Sequence, residues 1–228
     1  DTAADVEQRF PDTHVGAAIR GDALLRAGDA GRAYAAYRSA FDTAPGSAML
    51  LKLYAAQTRS GDPVGARNLL DKWLTQNPAD AAVRLTIASL EHQQGQLESA
   101  TAAYKRVLES NPRSVMALNN LAWIYFERND PKALELAERA FTLAPNRPEI
   151  ADTRGWLLVQ SGEVENGLKY LERAAKSAPQ LPEIHFHLAS GLAKAGDKYR
   201  AREILEKILA SDTDFAKRGD AKKLLATL

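Results

Sequence analysis

Residues 117–145 read ALNNLAWIYFERNDPKALELAERAFTLAP, and this stretch decides the fold. It contains two amphipathic segments that meet at Asn129-Asp130, and Pro145 follows the second segment. Asparagine tolerates the left-handed conformation that ends a helix, aspartate caps the start of the next helix, and proline stops helix propagation. The stretch therefore predicts a helix, a short turn and a second helix.

Three kinds of position recur along the chain at a period of 33 or 34 residues. A glycine or asparagine is expected to end each first helix at Gly28, Gly61, Gly95, Asn129, Gly162 and Gly196. A small residue follows, which allows two helices to approach closely, at Ala33, Ala66, Ala100, Ala133, Gly167 and Ala201. Prolines that stop each second helix stand at Pro11, Pro45, Pro78, Pro112, Pro145 and Pro179. Three signals at one period indicate an internal repeat of helix pairs.

The fourth unit departs from this spacing by one residue. Asn129 and Ala133 are four residues apart, whereas the glycine and the small residue are five apart in the other units. The distance from Ala133 to Pro145 keeps its usual twelve residues. Because loops tolerate changes of length better than helices do, we expect the turn to have lost the residue and both helices to survive.

The repeat resembles the tetratricopeptide repeat, whose unit of about 34 residues has small residues at its helix crossing and a proline near its end. Leu121-Ala122 with Tyr125 match that family's first-helix pattern. The resemblance implies an all-α fold, a right-handed α-solenoid of about six helix-turn-helix repeats with a C-terminal capping helix. The expected repeats are 14–46, 47–80, 81–113, 114–147, 148–181 and 182–213, and the capping helix is 214–228. Residues 1–13 are interpreted as the remnant second helix of a preceding repeat, so we expect a piece of a longer array.

Composition and motifs argue against an enzyme, a metal or cofactor site and a nucleic-acid partner. The 30 Lys and Arg residues balance 29 Asp and Glu residues, so no basic footprint for nucleic acid stands out. The chain has no cysteine, no glycine-rich phosphate loop and no HExxH or GxSxG motif. His185 and His187 stand two apart on a helix, so they cannot share a metal ion and are interpreted as surface or packing residues.

The first helices of such an array line its concave face, and the stripe beside their packing positions is the candidate binding groove. In the fourth repeat this stripe runs through Asn119, Trp123 and Phe126. The residues expected to bind a protein are His92, Asn119, Asn120, Trp123, Phe126, Asp152, Trp156 and Phe186. Aromatic residues dominate the hot spots of protein interfaces, which favours a peptide or protein ligand. The alternative is that Trp123 and Trp156 pack against the neighbouring repeat and stabilise the array.

Two later segments of the sequence resemble a narrower group of tetratricopeptide proteins. Residues 149–179 read EIADTRGWLLVQSGEVENGLKYLERAAKSAP, and residues 182–210 read PEIHFHLASGLAKAGDKYRAREILEKILA. With residues 117–148 and the closing AKKLLATL, these runs look like the C-terminal repeats of the tetratricopeptide lipoproteins encoded with bacterial exosortase/PEP-CTERM exopolysaccharide systems.

That resemblance implies a bacterial periplasmic protein, associated with the outer membrane only through an N-terminal anchor outside this sequence. Its expected function is a scaffold that binds a protein or peptide of a polysaccharide or surface-protein export machinery in its concave groove. The alternative is a module that binds the polysaccharide directly, with its aromatic rings stacked on sugar rings. A shift of tryptophan fluorescence on addition of oligosaccharides would favour this alternative.

Overall fold

The computed structural model describes residues 13–211 and 213–228, and every regular element in these ranges is an α-helix. The helices are α1 (His14–Arg26), α2 (Ala30–Thr43), α3 (Ser47–Arg59), α4 (Pro63–Gln76), α5 (Ala81–Gln93), α6 (Leu97–Ser110), α7 (Val115–Glu127), α8 (Lys132–Leu143), α9 (Pro148–Gln160), α10 (Val164–Ser177), α11 (Pro182–Lys194), α12 (Lys198–Ala210) and α13 (Arg218–Thr227). Connections of three or four residues join the helices from α1 to α12. The predicted all-α class is therefore confirmed.

The described residues divide into two compact units, one up to Arg106 and one from Val107 onward, and the division falls within α6. The core of the first unit includes Tyr37, Leu50, Leu53, Leu70 and Val83, all at most 2% exposed. The core of the second unit includes Ile150, Leu171, Leu192 and Leu205, and α13 adds the fully buried Ala221. Residues 1–12, which hold almost all of the predicted remnant helix, lie outside the described residues.

The first helices end, and the second helices are capped, at the predicted residues. Positive φ angles between 53° and 97° occur at all six predicted first-helix ends, which are Gly28, Gly61, Gly95, Asn129, Gly162 and Gly196. Asn129 takes the position with φ 53°, because asparagine tolerates the left-handed region better than most residues with a β-carbon. Asp29, Asp62 and Asp197 each accept a hydrogen bond from the backbone N–H three residues later, as expected of N-caps.

The fourth repeat corrects the expectation that its turn had lost a residue. The connection between α7 and α8 has four residues, whereas the connections within the other described helix pairs have three, and α8 has only 12 residues. The residue is therefore missing from the start of α8. The Ala133 amide bonds to the Asp130 carbonyl three residues back, whereas the Ala33 amide bonds to a carbonyl four residues back. This tighter first turn absorbs the deletion, and Asp130 Oδ1 still caps it by accepting from the Lys132 amide at 3.0 Å.

The small residues at the predicted helix crossings are buried. Ala33, Ala66, Ala100 and Ala201 are completely covered, and Ala133 is 6% exposed. In the fifth repeat the same position is Gly167 of α10, which faces Gly155 of α9. A β-carbon on Gly167 would lie 2.5 Å from the Gly155 carbonyl oxygen, and one on Gly155 would lie 2.8 Å from the Gly167 carbonyl oxygen. The backbones of α9 and α10 therefore approach too closely to admit a side chain at either glycine.

Candidate protein-binding site

Three pairs of adjacent first helices contact each other at the same register. In each pair, the residue six positions before one helix-ending glycine or asparagine contacts the residue nine positions before the next. The contacting residues are Asp22 with Lys52 (ion pair, 2.6 Å), Trp123 with Thr153 (hydrogen bond from Nε1 to Oγ1, 2.9 Å) and Trp156 with His187 (stacked rings, 4.4 Å between centroids). Both tryptophans thus pack against the neighbouring repeat, as the alternative predicted, and both are half-buried.

We define the aromatic surface as Trp123 and Phe126 of α7, Trp156 of α9 and His187 of α11. Trp123 and Phe126 meet edge to face, with 6.0 Å between ring centroids. The imidazole of His187 contacts both indoles, stacked on Trp156 with 25° between planes and tilted by 30° towards Trp123 at 5.6 Å. Because each indole is held by the next repeat, the aromatic surface is ordered before any ligand arrives.

Asp152 of α9 fixes the imidazole from a second direction. Its two carboxylate oxygens lie 3.0 and 2.9 Å from Nδ1 of His187, and both side chains are 8% exposed. Burial raises the pKa of the Asp152 carboxyl, the charge and hydrogen bond of His187 offset this only in part, and Glu183 raises it further. Asp152 therefore acts on the aromatic surface through His187, and its own carboxylate is covered.

Of the other predicted residues, two are buried and two are half-buried. Asn119 is 6% exposed, and its Oδ1 is buried without a hydrogen-bond partner among the described residues. Phe186 is 7% exposed and belongs to the core shared by α11, α12 and α13. Asn120 is half-buried on α7, and His92 lies in the first unit, edge-on to a tyrosine ring of α6.

The structure adds His187 to the predicted set. The sequence argument treated it as a surface or packing histidine, because its spacing from His185 excluded a shared metal. Its position in the repeat could have predicted its contacts. His187 stands nine residues before Gly196, just as Thr153 stands nine residues before Gly162. That register reveals its contacts only once the packing of adjacent first helices is known.

Further features of the described residues lie apart from the aromatic surface. A cavity of about 720 Å³ is lined by α10, α11 and α12, with His185, Leu188 and Ile204 in its wall and none of the predicted site residues. Residues 13–211 and 213–228 contain no group of three or more His, Asp or Glu side chains arranged to hold a metal ion. None of the helices in these ranges is long and apolar enough to cross a membrane.

Comparison with known proteins assigns the repeat. Models described as tetratricopeptide repeat match residues 57–117, 103–134 and 153–214. The chain is 28% identical over 171 residues to TPR repeat-containing protein PA4667 of Pseudomonas aeruginosa, covering 73% of this chain and 29% of that protein. It is 25% identical over 203 residues to cellulose synthase 1 operon protein C of Komagataeibacter xylinus, covering 82% of this chain and 15% of that protein.

A solved structure shows the same fold at low sequence identity. The crystal structure of the APC/C hetero-tetramer Cut9-Hcn1 superposes with a TM-score of 0.82 at 14% identity, covering 98% of this chain and 44% of that chain. The chain spans less than a third of the length of the two curated relatives described above.

Proposed function

Because the chain belongs to the tetratricopeptide repeat family, we propose that it is a non-catalytic scaffold that binds a protein or peptide partner on its aromatic surface. The observation that carries the proposal is the arrangement of Trp123, Phe126 and Trp156 as half-buried, partly accessible rings on adjacent first helices. Tryptophan is among the residues that contribute most to binding energy at protein interfaces. Side chains already fixed by their own repeat neighbours lose little further entropy when a partner binds.

The polar groups beneath these rings support binding rather than catalysis. Asp152 and His187 are paired with each other and covered. The Ser190 hydroxyl, one turn further along α11, donates to the Phe186 carbonyl at 2.8 Å and is itself buried. These groups stabilise the surface from below, while the exposed area that a partner meets is aromatic.

We place this scaffold in a bacterial polysaccharide or surface-protein export system, in the periplasm and associated with the outer membrane through an anchor outside this sequence. Two observations support the placement. Residues 149–179 and 182–210 resemble repeats of lipoproteins encoded with exopolysaccharide systems. The relative from Komagataeibacter xylinus is, by its name, a protein of a cellulose synthase operon.

The same relative is the reason to keep direct polysaccharide binding as the second candidate. Sugar rings stack on open aromatic faces, so an indole needs one face free to take part. One face of Trp156 is covered by the His187 imidazole, and Trp123 is tilted towards the same ring. The contact with His187 leaves at most one open face on Trp156, and this smaller area for stacking favours a protein or peptide as the partner.

The proposal is tested by affinity purification from a bacterial envelope extract with paired baits. One bait is the native chain, and the other carries Trp123→Ala and Trp156→Ala. We expect at least one protein to be retained by the native bait and lost from the double variant, because removal of two interface tryptophans typically costs at least about 2 kcal/mol of binding free energy.

Trp73→Phe provides the matched control. Trp73 lies on α4 in the first unit, where its Nε1 donates to Asp80 Oδ2 at 2.8 Å, so this variant changes a tryptophan outside the aromatic surface. It should retain the same protein as the native bait. If a double variant with native helical content holds the same proteins as the native chain, the aromatic surface is structural and the proposal is wrong.

A further inference from the structure

The Asp152–His187 pair is a buried titratable group that a purely aromatic interface does not need. Its two side chains stand 35 residues apart in the sequence and lie on α9 and α11. A carboxylate only accepts hydrogen bonds, so with Asp152 ionised the proton sits on Nδ1 of His187. Nε2 is then the remaining hydrogen-bonding atom of a ring that both indoles touch.

We propose that this pair makes the aromatic surface proton-responsive, with His187 as the group whose charge changes. With Asp152 ionised, the neutral ring holds its single proton on Nδ1, whereas the protonated ring donates from both nitrogens and carries a positive charge. An effect on a partner would pass through the two indoles that His187 contacts and rests on the proposed binding function, whereas the change of charge does not.

The residues around the pair explain why the binding of one proton would affect the whole aromatic surface. α7 presents the uncharged indole of Trp123, and α9 presents Trp156 together with Asp152. On α11 itself, the charged neighbour that acts on Asp152 is Glu183. A positive charge on a ring 4.4 Å from an indole adds a cation–π attraction, so protonation changes the contact of His187 with Trp156 and Trp123 together.

Burial raises the pKa of the Asp152 carboxyl, which lies 2.9 Å from Nδ1 of His187. Interacting groups of this kind release their protons as a coupled unit. We therefore expect the response to belong to the pair, and to change when either member is replaced.

The test is a pH titration of tryptophan emission in the Trp73→Phe background. The chain has three tryptophans, so only Trp123 and Trp156 report in this variant. A protonated imidazole in contact with an indole quenches its emission. We expect a sigmoidal loss of emission on acidification from about pH 8 to about pH 4, the range in which histidine and a raised carboxyl titrate.

Variants of three nearby residues identify the side chain that causes the change in tryptophan emission. His187→Gln should abolish it, and Asp152→Asn should shift it to lower pH, because the carboxylate that favours the charged ring is gone. His185→Gln changes a histidine on a different face of α11 and should leave the step in place. A step that survives in folded His187→Gln, that disappears in His185→Gln, or that is absent from the parent would overturn the proposal.

A second experiment repeats the affinity purification at one pH above and one pH below the change in tryptophan emission. Retention should change with pH for the native bait and stay constant for His187→Gln. Equal pH dependence in both baits would overturn the assignment of this response to His187. Since the emission titration contains no partner, its failure would leave the proposed binding function standing. Conversely, a chain that retains no partner could still show the step.

Discussion

Gly167→Ala is expected to lower the free energy of unfolding by about 2 kcal/mol, although alanine is the better helix former. The added β-carbon would lie 2.5 Å from the Gly155 carbonyl oxygen and 2.9 Å from the Val159 amide nitrogen. Both are backbone atoms that cannot rotate aside, so α9 and α10 must move apart. Thermal unfolding followed by circular dichroism should show a Tm lower by roughly 4–8 °C.

Gly219→Ala is the matched control in the same unit. Gly219 lies in α13, and a β-carbon there meets no atom within 4 Å. Its substitution should leave Tm unchanged or raise it slightly, because the unfolded chain loses conformational freedom. A Gly167→Ala protein as stable as the native chain would show that α9 and α10 are not packed backbone to backbone.

Arg154→Ala is expected to destabilise the second unit by about 3 kcal/mol, chiefly through two cation–π contacts. The guanidinium of Arg154 lies over the rings of Phe141 and Tyr170, at 4.6 and 4.0 Å from their centroids. It also pairs with Glu138 at 2.5 Å, although that carboxylate is 48% exposed and contributes less because water screens it. The measurement is urea unfolding monitored by circular dichroism.

Arg154→Lys separates the planar contact from the charge. Lysine keeps the positive charge but cannot lay a flat guanidinium on two rings, so we expect roughly half of the loss seen with alanine. Equal stabilities of the lysine variant and the native chain would assign the effect to charge alone. An unchanged urea midpoint for Arg154→Ala would show that the cluster of α8, α9 and α10 does not depend on this residue.

The helix pattern could be predicted from sequence because each signal is local. A left-handed glycine or asparagine, an aspartate cap and a proline act within a few residues, so their spacing determines where helices end. The start of α8 could not be predicted in this way. Loss of one residue could shorten either the turn or the helix. The hydrogen bond from the Ala133 amide to the carbonyl three residues earlier shows which of the two was shortened, and this bond exists only in the folded chain.

The candidate site was only partly predictable, for a different reason. The periodicity identified the stripe that holds Trp123 and Trp156, but not which neighbours are buried. Asn119 and Asp152 occupy equivalent register positions and are covered, while His187 gains its role from contacts with residues 31 and 35 positions earlier. Such contacts depend on how adjacent repeats pack, which single-helix patterns do not contain.

Site-specific photo-cross-linking tests the binding of a partner on the aromatic surface most directly. A photoreactive phenylalanine analogue replaces Phe126 in one protein and Tyr199 in another; Tyr199 is 80% exposed and lies on α12, the second helix of its repeat. With the partner retained in the affinity purification, we expect cross-links from position 126 that disappear with Trp123→Ala and Trp156→Ala, and none from position 199. Cross-links from position 199 alone, or equally from both positions, would contradict a partner site on the aromatic surface.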